Sequence, residues 1–157
     1  MIEPGESTRQ SGFPWSGVHH IALVTPDLEA TTRFYHGLLG LAVTATGPAT
    51  ALHGRHSLFS LGGDTPVSLH FFEHPDANVV AYPLEHGLVF LPELGALHHI
   101  ALRLPDEQAG LALRRRLLAA GVTVTDVMTQ GDVHDMLFRD NNGLLLEAAW
   151  PREDLTS

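Results

Sequence analysis

Two histidine pairs and one isolated glutamate are the residues of this 157-residue chain best suited to chemistry. His19-His20 and His98-His99 each open the string His-His-Ile-Ala-Leu. Each is followed at unchanged spacing by Pro-Asp, at Pro26-Asp27 and at Pro105-Asp106. Two such matches in so short a chain mark an internal repeat, which fixes the unit from which the protein is built. Histidine is the commonest neutral metal ligand and the usual proton carrier near neutral pH, and the chain holds 11 of them. Glu147 stands in the apolar run Leu144-Leu145-Leu146-Glu147-Ala148-Ala149-Trp150. A carboxylate there is costly to bury unless a metal or a partner compensates it, and Leu145 and Ala149 on its own face offer none.

The elements that must position these residues follow from hydrophobic period. From Val18 the sequence alternates as a strand does, with Ile21 and Leu23 on one face and His20, Ala22 and Val24 on the other. The bulky face suits packing under a helix, and the face with His20 and a small alanine suits a cavity. Asp27 is a helix N-cap with Glu29 in the first turn, and Leu28, Thr31, Tyr35 and Leu38 follow at helical spacing. Phe34 and Leu39 widen the stripe, and Gly40 is the glycine expected just past the helix end. Strands are expected over residues 41–46, 56–61 and 67–73. The second half repeats the plan, with a strand over 97–104, a helix from Asp106 to Ala120 stopped by Gly121, and strands over 122–128, 132–139 and 144–150. Asn142-Gly143, before the last strand, is a hairpin-turn signal. The fold class is therefore α+β: two βαβββ modules in tandem forming a cupped mixed sheet, with the helices outside. Module one spans about 17–74 and module two 97–150. Between them lies a linker, 75–96, broken by prolines and glycines yet rich in apolar residues. An arm of 1–16, expected to be flexible, and a tail of 151–157 flank this single domain.

Repeats related by a pseudo-twofold bring equivalent strands together, so His20 and His99 are expected across a shared cavity. His20, His99 and Glu147 would make a set of two imidazoles and one carboxylate, which suits a divalent metal with open coordination positions. His70 on the fourth strand is either a further ligand or a cavity-lining residue, and Phe72 shares its face. His19 and His98 have the opposite parity and are expected on the helix side, structural or behind the ligands. His134, on the strand before the final turn, is the candidate acid–base residue, weighed against a surface position. His53 and His56 would close the cavity from the loop at 47–56.

Composition narrows the function classes. The formal net charge of −9 argues against a phosphate-backbone partner. Absence of cysteine removes disulfides, thiolate metal sites and a cysteine nucleophile. No apolar stretch approaches the roughly 20 residues of a membrane helix, and the start does not read as a signal peptide, so a cytoplasmic protein is expected.

The paired strand-helix-strand-strand-strand plan resembles the vicinal oxygen chelate superfamily, over about residues 17–150. That group includes glyoxalase I, methylmalonyl-CoA epimerase, fosfomycin-resistance enzymes, bleomycin-binding proteins and type I extradiol dioxygenases. The resemblance implies metal positions at His20, His99 and Glu147, and at His70 where glyoxalase I would have a glutamate. Three strings look most like ring-cleaving dioxygenases: Leu69-His70-Phe71-Phe72-Glu73, Leu97-His98-His99-Ile100-Ala101-Leu102-Arg103, and Leu137-Phe138-Arg139-Asp140 through Leu146-Glu147. Many extradiol enzymes carry four modules, however, and this chain has two.

Three functions follow as expectations. The first is an extradiol-type dioxygenase holding Fe(II) or Mn(II) and acting on a small catechol-like or hydroquinone-like aromatic. The second is a lyase or isomerase of glyoxalase or epimerase type, with Ni(II), Zn(II) or Co(II). The third is a binding module that uses the cavity without metal. The expected partner besides a small-molecule substrate is a second copy of the chain, as a homodimer.

Overall fold

The computed structural model describes residues 16–63, 67–78 and 97–152. The arm, most of the linker and the tail read from the sequence lie outside these residues. The elements in order are β1 (His20–Thr25), α1 (Leu28–Thr32), β2 (Ala42–Gly47), β3 (His56–Ser60), β4 (Ser68–Glu73), β5 (Ile100–Arg103), α2 (Glu107–Ala119), β6 (Met128–Gln130), β7 (Val133–Arg139) and β8 (Leu145–Pro151). They form two four-stranded sheets of identical topology, β1-β4-β3-β2 and β5-β8-β7-β6. In each, the first strand runs parallel to the fourth, and the remaining pairs are antiparallel. Tandem βαβββ modules are thus present.

Local chemistry explains the element ends. Asp27 and Asp106 each accept a hydrogen bond from a backbone N–H three residues on, at 2.8 Å, and so cap the two helices. Glu73 is a second anchor for α1. It accepts from Leu28 N and pairs with Arg55, which also binds Glu29. The continuous helix expected through Leu39 is α-helical only to Thr32 and then widens into a π-helical turn, Arg33–Leu38, closed by Leu39 N donating to Phe34 O at 2.9 Å. Consecutive Phe34 and Tyr35 are both buried in it.

The strand expected over 122–128 is reduced to one bridge, Val124 to Phe138, and to β6 beginning at Met128. Thr125 is the reason. Its hydroxyl takes the Leu137 N–H at 2.9 Å, so a side chain replaces the backbone carbonyl that would continue the ladder.

One core serves both modules. Phe59, Leu69 and Phe71 from the first sheet pack in a single cluster with Met136, Leu146 and Trp150 from the second. Helix α2 approaches so closely that a Cβ on Gly110 would lie 2.6 Å from the Trp150 ring. The turn between β7 and β8 docks on α1. Tyr35 Oη donates to Asp140 Oδ2 at 2.7 Å, Asn141 Nδ2 donates to Thr31 Oγ1 at 3.1 Å, and Thr25 Oγ1 donates to Asn142 Oδ1 at 3.2 Å. The helix-side faces of both sheets are thereby joined; on the opposite face β1 is exposed, whereas Asp135, Leu137 and Leu145 of the second sheet are buried. His20, Ala22 and Val24 are all exposed. Strands β1 and β5 flank an apolar cavity of about 640 Å³ on the joined side, lined by Ile21, Leu39, Leu102, Leu113 and Phe138 among others. Among the described residues no helix is long and apolar enough to cross a membrane.

Removing the Tyr35 hydroxyl leaves a buried carboxylate short of one donor. Tyr35→Phe should therefore lower stability by about 1–3 kcal/mol, with no change in the urea m-value, in equilibrium unfolding.

Candidate functional site

Strand register places the candidate residues. In β1 and β4, Ala22 pairs with His70; in β5 and β8, Ala101 pairs with Glu147. Ala22 and Ala101 are equivalent in the repeat, so His70 and Glu147 occupy the same position of the two modules. His20 and His99 lie two residues before those alanines and share their face. Each module thus carries half of the expected set on its open face.

The second module brings His99 Nε2 to 3.2 Å from Glu147 Oε2, with about a third of the His99 side chain exposed and less of Glu147. The first module brings the His20 ring to 5.8 Å from the His70 ring, centroid to centroid. His70 continues into a row of imidazoles, with His56 at 5.1 Å and His53 a further 5.0 Å on. Phe72 lies 4.0 Å from the His70 ring. His56 reaches this row from strand β3 rather than from the preceding loop. Its ring fills the space beside Gly47, where any Cβ would collide with it. Among the described residues, Nε2 of His70 and Nδ1 of His56 are buried without a hydrogen-bond partner.

Among the described residues no three histidine, aspartate or glutamate side chains gather closely enough to hold an ion. The shared core lies on the helix-side faces of the two sheets, and among the described residues the ligand set expected around His20 and His99 is not gathered in a single copy. A divalent ion nevertheless fits what each half offers. One presents an imidazole beside a carboxylate, and the other presents imidazoles with an unsatisfied ring nitrogen.

His134 stands elsewhere. It pairs in register with Trp150 and Thr129, which puts it on the face opposite Glu147. Its Nδ1 lies 3.1 Å from Thr129 Oγ1, and its ring lies 6.3 Å from that of Trp150. The acid–base role expected of it has no geometric basis there. The carboxylate of β7 that does share the Glu147 face is Asp135, paired with Ala149, and it was not anticipated. Asp135 is 1% exposed, and among the described residues its carboxylate oxygens make no hydrogen bond of good geometry, the Gln130 side chain interacting with it only weakly. Burial raises its pKa, opposed in part by Gln130 and by the imidazoles of His134 and His99. Asp135 is the equivalent of His56: Ala149 corresponds to Phe72, the partner of His56 in β3. The signal that singled out Glu147, a carboxylate in an apolar strand, was present at Asp135 too.

Two outcomes follow. An unpaired buried carboxylate costs stability, so Asp135→Leu should raise stability by about 1–3 kcal/mol in thermal or urea unfolding. His70 is held below the ordinary imidazole value of 6.5, first by burial and then by the neighbouring His56, His20 and His53. The unfolded chain binds that proton more tightly, so stability is complete above about pH 6.5 and is lost as pH falls through the lower value of His70. Melting curves across this range should show a shallower acid loss in His70→Gln.

The chain was compared with known proteins. The model of the Glyoxalase/Bleomycin resistance protein/Dioxygenase superfamily matches residues 17–148. A Bacillus subtilis (strain 168) protein named "Putative ring-cleaving dioxygenase MhqA" is 24% identical over 147 residues, covering 91% of this chain and 43% of that protein. The chain therefore spans less than half the length of this relative. Among solved structures, a glyoxylase/bleomycin resistance protein/dioxygenase domain from Frankia sp. EAN1pec superposes with TM-score 0.70 at 23% identity, covering 88% of this chain and 99% of that one. Lactoylglutathione lyase from Agrobacterium tumefaciens superposes with TM-score 0.60 at 21% identity, covering 92% and 98%. Two modules of identical topology, the ligand-type residues at equivalent registers and a family match over nearly all of the described chain agree: the protein belongs to the Glyoxalase/Bleomycin resistance protein/Dioxygenase superfamily.

Proposed function

We propose that this protein is a metal-dependent dioxygenase of extradiol type, cleaving small catechol-like or hydroquinone-like aromatic rings, with its centre completed between two copies of the chain. The observation that carries the reading is the pairing of His99 with Glu147 at the same register that holds His20 with His70. Module one of one copy and module two of the other would together present His20, His70, His99 and Glu147. The exposed outer face of β1 and the core formed on the helix-side faces support that association. The likeness to a protein named as a ring-cleaving dioxygenase supports the reaction.

His20, His99 and Glu147 would hold Fe(II) or Mn(II). Such an ion, when bound, supplies positive charge and adjacent open positions for two neighbouring substrate oxygens and for O2. Everything else falls to the chain. Glu147 adds one negative charge to an otherwise neutral donor set. His70 is kept neutral by its surroundings and has an unpartnered Nε2, so it can take a proton from a substrate hydroxyl. Ala22 and Ala101 leave room on the floor between the ligand-type residues, and Phe72 offers an apolar wall to a flat ring.

A second reading rests on the register equivalence of His70 and Glu147, which suits four protein ligands. In that case the enzyme is a lyase or isomerase of glyoxalase or epimerase type, active with Ni(II), Zn(II) or Co(II) and without oxygen. Metal analysis of anaerobically purified protein, followed by oxygen uptake with a catechol and hydroquinone panel, separates the two. Iron or manganese with oxygen uptake is the expected result; no uptake by iron-loaded protein with any of the panel overturns it.

Mixing tests the shared centre. His20→Ala and Glu147→Ala chains should each lack activity. Refolded together, they should regain roughly a quarter of the wild-type level, because half of the dimers then contain one intact site of two. A mixture as inactive as its parents excludes a centre shared between copies.

A further inference from the structure

In both modules the histidine before the cup-facing one touches it nitrogen to nitrogen. His19 Nδ1 lies 2.8 Å from His20 Nδ1, and His98 Nδ1 lies 2.7 Å from His99 Nδ1. The rings stand edge to face at 81° and 78°, with centroids 5.1 and 5.0 Å apart. Side-chain alternation would send His19 and His98 to the helix layer. Instead both lie ahead of the first strand of their module, stay exposed and turn back onto the next residue. The same contact arises twice, in sheets built largely from different residues, at the positions the repeat keeps identical.

A contact of this length between imidazole nitrogens needs one N–H and one lone pair. With Nδ1 engaged, each cup-facing ring presents Nε2, and His99 Nε2 is the atom found beside Glu147. A histidine that ligates through Nε2 carries its proton on Nδ1, and an acceptor there fixes the ring and raises its basicity. An imidazole acceptor has a property that a carboxylate lacks, since the bond can run in either direction. With no ion present, His99 can give its Nε2 proton to Glu147 and accept from His98 Nδ1–H. In the ligating form His99 keeps Nδ1–H, and His98 carries its proton on Nε2. The pair holds two protons in both forms, so the exchange leaves its charge unchanged.

We infer that His19 and His98 are positioning residues, each hydrogen-bonding Nδ1 of the following histidine so that His20 and His99 present Nε2 to the cup. The inference rests on the metal-binding part of the proposed function, and its test separates the two. Zn(II) affinity is measured on the full-length protein by competition with a chromogenic chelator. His98→Phe should bind about 10–100-fold more weakly, whereas His98→Asn, whose amide oxygen accepts the Nδ1 proton, should stay within about threefold of wild type. Equal weakening in both variants, or none in either, overturns the inference. Where wild type takes up no Zn(II), the metal reading falls; there, or where His98→Phe does not fold, nitrogen-15 NMR of the imidazoles in the metal-free wild-type protein decides. A scalar coupling between Nδ1 of His98 and Nδ1 of His99 sustains the inference, and its absence overturns it.

Discussion

The carboxylate of Asp140 holds this structure together. It is buried between the modules and accepts the Tyr35 hydroxyl at 2.7 Å and the N–H groups of Asn142 and Leu144 at 2.8 Å each. Burial raises its pKa even so, because these donors only partly replace lost water. Two consequences follow from one side chain. Through Tyr35 the second module is fastened to the widened turn of the first, so the two sheets share a core and turn their open faces away from it. Through Asn142 and Leu144 the turn is wide, with five residues between the paired Arg139 and Leu145.

That width decides which face of β7 lies beside Glu147. A two-residue Asn-Gly hairpin would shift the pairing by one residue and exchange the two faces of the strand. With five residues in the loop, and Gly143 at a φ of +84° to close it, Asp135 joins Glu147 on one face and His134 lies on the other, beside Trp150. The same rule makes His56 the counterpart of Asp135 in module one. The duplicated scaffold has therefore diverged in charge. Its first half presents a row of imidazoles against Phe72, and its second presents two carboxyl groups around His99. A donor set drawn from both halves would add the imidazoles of the first to the imidazole–carboxylate pair of the second.

The amino-acid sequence by itself determined the duplication, the order of elements and the faces of the outer strands. Two-residue alternation is a local property, so Ile21 and Leu23 had to oppose His20 and Ala22, and Ile100 and Leu102 had to oppose His99 and Ala101. The Asp27 and Asp106 caps are equally local, since the carboxylate bonds an N–H three residues away. Tertiary structure decided what depends on distant partners. The burial of two consecutive aromatics widened the helix after Thr32, and the Thr125 hydroxyl displaced a strand ladder. Pairing of β7 with β8 exchanged His134 for Asp135, because register is set by turn geometry and not by the strand's own composition. The packing of the modules through their helix-side faces left each half-site open, because that association is fixed by long-range burial around Tyr35 and Asp140, which no local pattern encodes.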